Sequence, residues 1–227
     1  LALQEWPGAT TLAGRLPTLA AWLDGGLVTV RLVACYVVWT AVAWLLVPVR
    51  ESRAAAVAGL LILLPTVSVA GIDWVLNRDP FWWTTLFRFA FAVSQLGPAL
   101  ALALLVNVAE GEPTSRIHDR SLTTALLTLV LLTLWLWFTQ FLAAYLGNLP
   151  EEAAWYEARL TGSRWILLAG AAGMMMAAAA LLIGGGRKRA ATLAASVLIL
   201  LQHPLHMGWL LRREGRPALG PVDIIAL

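Results

Sequence analysis

Cysteine is almost absent from this sequence: Cys35 is the one cysteine in 227 residues. A lone thiol inside an apolar run excludes a disulfide framework and a cysteine-ligated iron–sulfur cluster, and reads as a packing residue. Charge is scarce too. Asp, Glu, Lys and Arg make up 13% of the chain, against roughly 25% in a soluble domain. There is no phosphate-binding loop, no dinucleotide fingerprint and no nucleophile–base signature, which excludes catalysis of the soluble type. The net charge is only +3, and the basic residues fall in short loops between apolar runs. That pattern fits membrane topology and contact with lipid headgroups, and it excludes nucleic acid as a partner. No secretory leader pattern stands in residues 1–26, which hold Pro7, Pro17 and Gly25-Gly26. Because the chain starts on Leu1, further sequence is expected to precede it.

What is present is oil. Hydrophobic residues make up 60% of the chain, and runs of about 20 of them are long enough to cross a bilayer as helices. The expected fold is all-α, a polytopic transmembrane helical bundle of about six spans. The spans fall at about residues 27–47, 54–72, 84–108, 121–146, 165–183 and 190–211. Residues 1–26 and 212–227 read as a surface segment and a surface tail. Pro65 interrupts the second span and needs neighbouring helices to satisfy the carbonyl it leaves free. In the fifth span Ala169, Gly173 and Ala177 make a small-residue face for close helix approach.

The most polar, turn-rich passage runs from Gly147 to Trp165, between spans four and five. Gly147 is expected to close a helix from a left-handed conformation, and Pro150 suits the first turn of a short new helix. Glu151 and Glu152 then sit where the helix dipole favours negative charge. Trp155, Tyr156 and Trp165 are aromatics of the kind found at a membrane boundary. A short interfacial helix is therefore expected here, with Asn148, Pro150, Glu151, Glu152, Trp155, Tyr156 and Arg159 forming a partner-docking loop. A second polar aromatic loop is expected to hold Asp73, Trp74, Asp79, Trp82 and Trp83. Six spans place both ends on one side. The short loops at 48–53, 107–120 and 184–189 carry seven Lys or Arg, so by charge density that side should be cytoplasmic and the interfacial helix periplasmic.

Within the spans, Arg88, Gln95, Gln140, His203 and His206 are the candidates for a proton or quinone path. Arg88 is costly at mid-depth, about 2.5–3.5 kcal/mol on insertion scales. It reads as an interfacial anchor, an ion pair with Asp73 or Asp79, or a functional cation. Arg31 has the same alternatives. Gln95 and Gln140 suit hydrogen bonds between helices or a hydrophilic half-channel. His203 and His206 lie three apart on one helix side, suited to polar packing, a quinone carbonyl, a proton relay or a metal. No span offers a facing imidazole for haem, and no metal site is expected.

Several stretches resemble the ActF-type membrane subunit of bacterial alternative complex III, a quinol:cytochrome c oxidoreductase. They are Phe138-Thr139-Gln140-Phe141, then Asn148-Leu149-Pro150-Glu151-Glu152 with Trp155-Tyr156, Arg159, Gly162 and Trp165. Asp73-Trp74 with Pro80, Trp82, Thr84-Thr85 and Phe87, the pair His118-Asp119, and His203 to Trp209 resemble further segments of that family. Gln202, Pro204, His206 and Arg88 depart from its pattern. The family subunit has about ten spans, so the resemblance is to a shortened form comprising its C-terminal six helices. It implies a non-catalytic or accessory subunit, with no redox cofactor of its own, in a respiratory chain of the bacterial inner membrane. Quinone or quinol is a candidate ligand. The implied partners are an NrfD-like quinone-binding membrane subunit, extrinsic c-type haem and iron–sulfur subunits, and lipids.

Overall fold

The structure, a computed structural model, describes residues 21–22, 25–49, 52–75, 82, 84–109, 116–147, 150–162, 164–185 and 189–211. The expected surface segment up to residue 20 and the tail from 212 lie outside the described residues. Among the described residues there are seven α-helices and no strand. These are α1 (Gly25–Leu46), α2 (Arg53–Trp74), α3 (Thr85–Ala109), α4 (Arg116–Gly147), α5 (Pro150–Leu160), α6 (Arg164–Gly184) and α7 (Arg189–Leu211). All but α5 are long and apolar enough to cross a membrane.

By its contacts the chain divides into two compact units, Leu1–Pro80 and Phe81–Leu227. In the first, α1 and α2 pair antiparallel, as three contacts along their length show. Arg31 near the start of α1 grips Asp73 near the end of α2, with Nε and Nη2 each 2.8 Å from a carboxylate oxygen. Midway, Trp39 donates its indole N–H to Thr66 Oγ1 at 2.9 Å. Near the turn, a side chain on Gly59 would meet Leu46 at 2.8 Å, so glycine permits the closest approach there. Ser52 caps α2 by accepting from the Ala55 amide at 3.3 Å.

The Asp73 contact corrects two expectations. Asp73 and Trp74 belong to the last turn of α2, not to a loop. The bidentate arginine makes a carboxylate tolerable there, so the helix continues past the apolar run. It is also Arg31, not Arg88, that pairs with Asp73. Pro65 lies inside α2, which stays continuous through it. At the next position the Thr66 hydroxyl bonds back to the preceding turn, 2.9 Å from the Ile62 carbonyl and 3.0 Å from that of Leu63.

In the second unit, α3, α4, α6 and α7 share one core. It joins Ala101 and Leu104, Leu126 and Val130, Met175 and Ala178, and Ala195 and Ile199. Alanines fully buried on three of these helices bring their backbones close, which is how helices pack where lipid removes the hydrophobic drive. The inner face of α6 is Ala171, Met175, Ala178, Ala179 and Leu182. The small-residue face anticipated at Ala169, Gly173 and Ala177 is exposed instead.

Candidate functional site

Helix α5 starts on Pro150, whose missing amide costs nothing at a helix N-terminus. Glu152 lies in its first turn and Arg159 in its last, the arrangement the helix dipole favours. Its buried positions are Trp155, Tyr156 and Arg159, spaced as one helical face. That face closes over α3, α4 and α7 through an aromatic lattice. Trp155 stacks on Trp82, with centroids 3.8 Å apart and planes 8° from parallel. The Arg159 guanidinium lies 3.9 Å from the centroid of the same Trp155 ring. Two groups this close must occupy opposite faces, so the indole is sandwiched between a ring and a cation. Trp209 of α7 meets Trp155 edge-on at 5.6 Å and donates its N–H to the Arg159 carbonyl at 3.2 Å.

One turn below, Gln140 of α4 is buried and donates from Nε2 to the Tyr156 hydroxyl oxygen at 3.3 Å. Burial raises the Tyr156 phenol to about 12, with nearby Glu152 adding to the rise, while the Gln140 bond and Arg159 act the other way. Trp137, one turn further along α4, meets His206 edge-on at 4.6 Å, and the His206 ring stacks near Trp209 at 6.0 Å. Phe87 of α3 joins Trp82 to Trp137 through edge contacts of 5.6 and 5.8 Å. Trp137 Nε1, Gln140 Oε1 and His203 Nδ1 are buried in this region without a hydrogen-bond partner among the described residues.

The structure therefore gathers Gln140 and His206 with Tyr156, Trp155, Arg159 and Trp82 into one lattice. His203, half-buried, stands one turn below His206 on α7. Gln95 is half-buried and bonds within its own helix, to the Phe91 carbonyl at 3.3 Å and Ser94 Oγ at 3.2 Å. Arg88 is exposed, in the first turn of α3. Asn148, Asp79, Trp83 and the side chain of Glu151 lie outside the described residues, as do the side chains of His118 and Asp119.

Two expectations for the interfacial segment are corrected. Trp155, Tyr156 and Arg159 turn inward and are 6–7% exposed. The outward side of α5 is Ala154, Glu157 and Leu160. The lattice offers these aromatics more area than a boundary position, which explains the turn. Gly147 remains the last residue of α4, and the positive-φ glycine among the described residues is Gly162, at 65°, just after α5. Trp137 escapes a reading for function because an isolated aromatic in an apolar span looks like any core residue, while Phe87 and Trp209 enter the reading as parts of the resembling segments without a role of their own. Among the described residues no group of His, Cys, Asp and Glu is arranged to hold a metal ion. No protein-family model matches this sequence, and no curated protein matches it either.

Proposed function

We propose that the chain is a multi-pass subunit, without a redox cofactor of its own, of a respiratory quinol:cytochrome c oxidoreductase like alternative complex III, in the bacterial inner membrane. The observation that carries this reading is the construction of α5. Its inward face is locked by the Trp82–Trp155–Arg159 sandwich, and Ala154, Glu157 and Leu160 are left outward on a rigid base. A helix held that firmly, with Ala154, Glu157 and Leu160 outward, suits docking better than chemistry. Extrinsic subunits carrying c-type haem and iron–sulfur clusters are the proposed occupants of that face. The exposed Ala169, Gly173 and Ala177 suit close packing against an NrfD-like, quinone-binding sister subunit. The test is to tag the chain, extract it gently from native membranes, and record co-purifying proteins, a visible spectrum and quinol:cytochrome c reductase activity. Co-purifying haem and quinol-dependent reduction are expected; a colourless chain that comes out alone would overturn the assignment.

A second reading is a proton-translocating or transport subunit. It is favoured by Gln140 Oε1 and His203 Nδ1, which are buried without a partner among the described residues. Replacing both His203 and His206 should then abolish proton uptake in reconstituted vesicles, and unchanged coupling rules the reading out. A third is a structural bridging subunit, for which changes at Glu157 lose assembly while the rate per assembled complex stays normal.

A further inference from the structure

We infer that the core of the second unit holds one ordered water beneath α5, which accepts a hydrogen bond from Trp137 Nε1 and donates one to Gln140 Oε1. The inference starts from those two atoms. Both are buried without a hydrogen-bond partner among the described residues. One is a donor and the other an acceptor, so a single molecule that accepts and donates serves them both. Trp137 and Gln140 stand three apart on α4, where side chains on consecutive turns have Cβ atoms about 5–6 Å apart. Two hydrogen bonds through one oxygen, each about 2.8 Å long, bridge a gap of that size.

Neither group is placed to find bulk solvent instead. The Gln140 amide is anchored by its other end, where Nε2 donates to the Tyr156 hydroxyl oxygen at 3.3 Å. The Trp137 ring is wedged between Phe87 at 5.8 Å and His206 at 4.6 Å. Leaving a buried donor and a buried acceptor unpaired costs more than immobilising one water between them.

The core around this pair is polar, which is what keeps a buried water in place. Thr123 bonds to Thr192 at 3.1 Å and Trp137 meets His206, and both pairs are 69 positions apart. Helices α4 and α7 therefore run parallel in one register, diagonally across the core. The same offset sets Thr133 level with Gln202 and Val130 level with Ile199. On α3, a side chain on Gly97 would meet Ile199 at 3.9 Å. That helix runs the other way, because Phe87 at its start meets Trp137 while Ala101 and Leu104 pack with Leu126 and Val130. Ser94, one turn before Gly97, thus shares the level of Thr133 and Gln202. All three are buried. A polar level lies one turn below Trp137, and beneath it the fully buried Val130, Ile199 and Ala101 close the core with an apolar one.

The experiment uses the full chain in detergent with 15N-labelled tryptophan, and records magnetic-resonance cross-peaks between indole N–H protons and water. The Trp137 signal is assigned as the one lost in Trp137→Phe. Wild type should show a water cross-peak at that indole. Gln140→Leu removes the acceptor and should abolish it, while Gln95→Leu, away from the pair, should leave it intact. A wild-type Trp137 with no water cross-peak overturns the inference, the indole N–H then resting on the His206 ring. That result needs only the wild-type chain, so misfolding of Gln140→Leu leaves the test intact. A cross-peak that survives unchanged in Gln140→Leu, or one lost equally in Gln95→Leu, overturns the bridge to Gln140.

Discussion

Trp155 presents one face of its indole to Trp82 at 3.8 Å and the other to the guanidinium of Arg159 at 3.9 Å. Stacked rings alone are weakly favoured over edge contacts, but a cation on the far face reinforces the ring's attraction. The sandwich holds α5 to Trp82, three residues before α3 begins.

Trp155→Ala should therefore destabilise the second unit by about 3–5 kcal/mol, the range for deleting a large buried aromatic. Arg159→Met keeps the apolar stem and loses the cation, and should cost about 0.5–2 kcal/mol. Thermal unfolding in detergent, followed by near-UV circular dichroism, separates the two. Equal losses for both variants would show that the indole's area is not what matters.

The Tyr156 phenol carries a pH signature. Its folded pKa is raised from the ordinary 10.0 to about 12, so the folded state binds the proton more tightly than the unfolded state does. The stabilising contribution is whole below pH 10 and falls away as the pH rises from 10 to 12. Tyr156→Phe should flatten that alkaline loss. If wild type and variant lose stability in parallel over this range, the phenol is not the group responsible.

The pair Arg31–Asp73 should respond unequally to removal of its two members. The Asp73 side chain is 3% exposed and Arg31 19% exposed. Arg31→Gln strands a buried carboxylate, and breaking a buried pair in this way costs about 3–5 kcal/mol. Asp73→Asn leaves an arginine that still donates to the Trp22 carbonyl at 2.7 Å and lies over the Trp22 ring at 4.2 Å, so its cost should be smaller. Chemical unfolding of both variants tests the order, and the reverse order would overturn it.

Gly185 should not accept a side chain. A Cβ there would come within 2.7 Å of the Leu181 carbonyl and crowd Ala191 more closely still. Its own amide closes α6 by donating to that same carbonyl at 2.8 Å. Overpacking of this kind costs about 1–3 kcal/mol, so Gly185→Ala should lower the unfolding temperature. Gly173→Ala, with nothing within 4 Å, serves as the neutral control.

The long helices are legible in the sequence because an apolar run of twenty residues in a bilayer can satisfy its backbone only as a helix. Asp73 is not legible in the same way. A carboxylate after an apolar run looks like the start of a loop, and only Arg31, 42 positions away, makes it part of the helix. Tyr156 and Arg159 are an intermediate case. Their spacing already puts them on one helical face with Trp155, but their residue types suit a wet boundary equally well. What decides the direction is Trp82, and nothing local in the sequence announces its approach. The pairing of Thr123 with Thr192 is hidden for the same reason, since two threonines 69 positions apart have no pattern to join them.

The bond from the Trp209 indole to the Arg159 carbonyl has a consequence for biosynthesis. It joins positions 50 residues apart, and its donor lies at the end of the last described helix. Trp82 leaves the ribosome before Trp155, and Trp209 follows both. The seat of α5 is therefore incomplete throughout translation of α6 and most of α7. A nascent chain that stops short of Trp209 lacks both this bond and the edge contact on Trp155, so α5 is held by fewer partners until α7 is made.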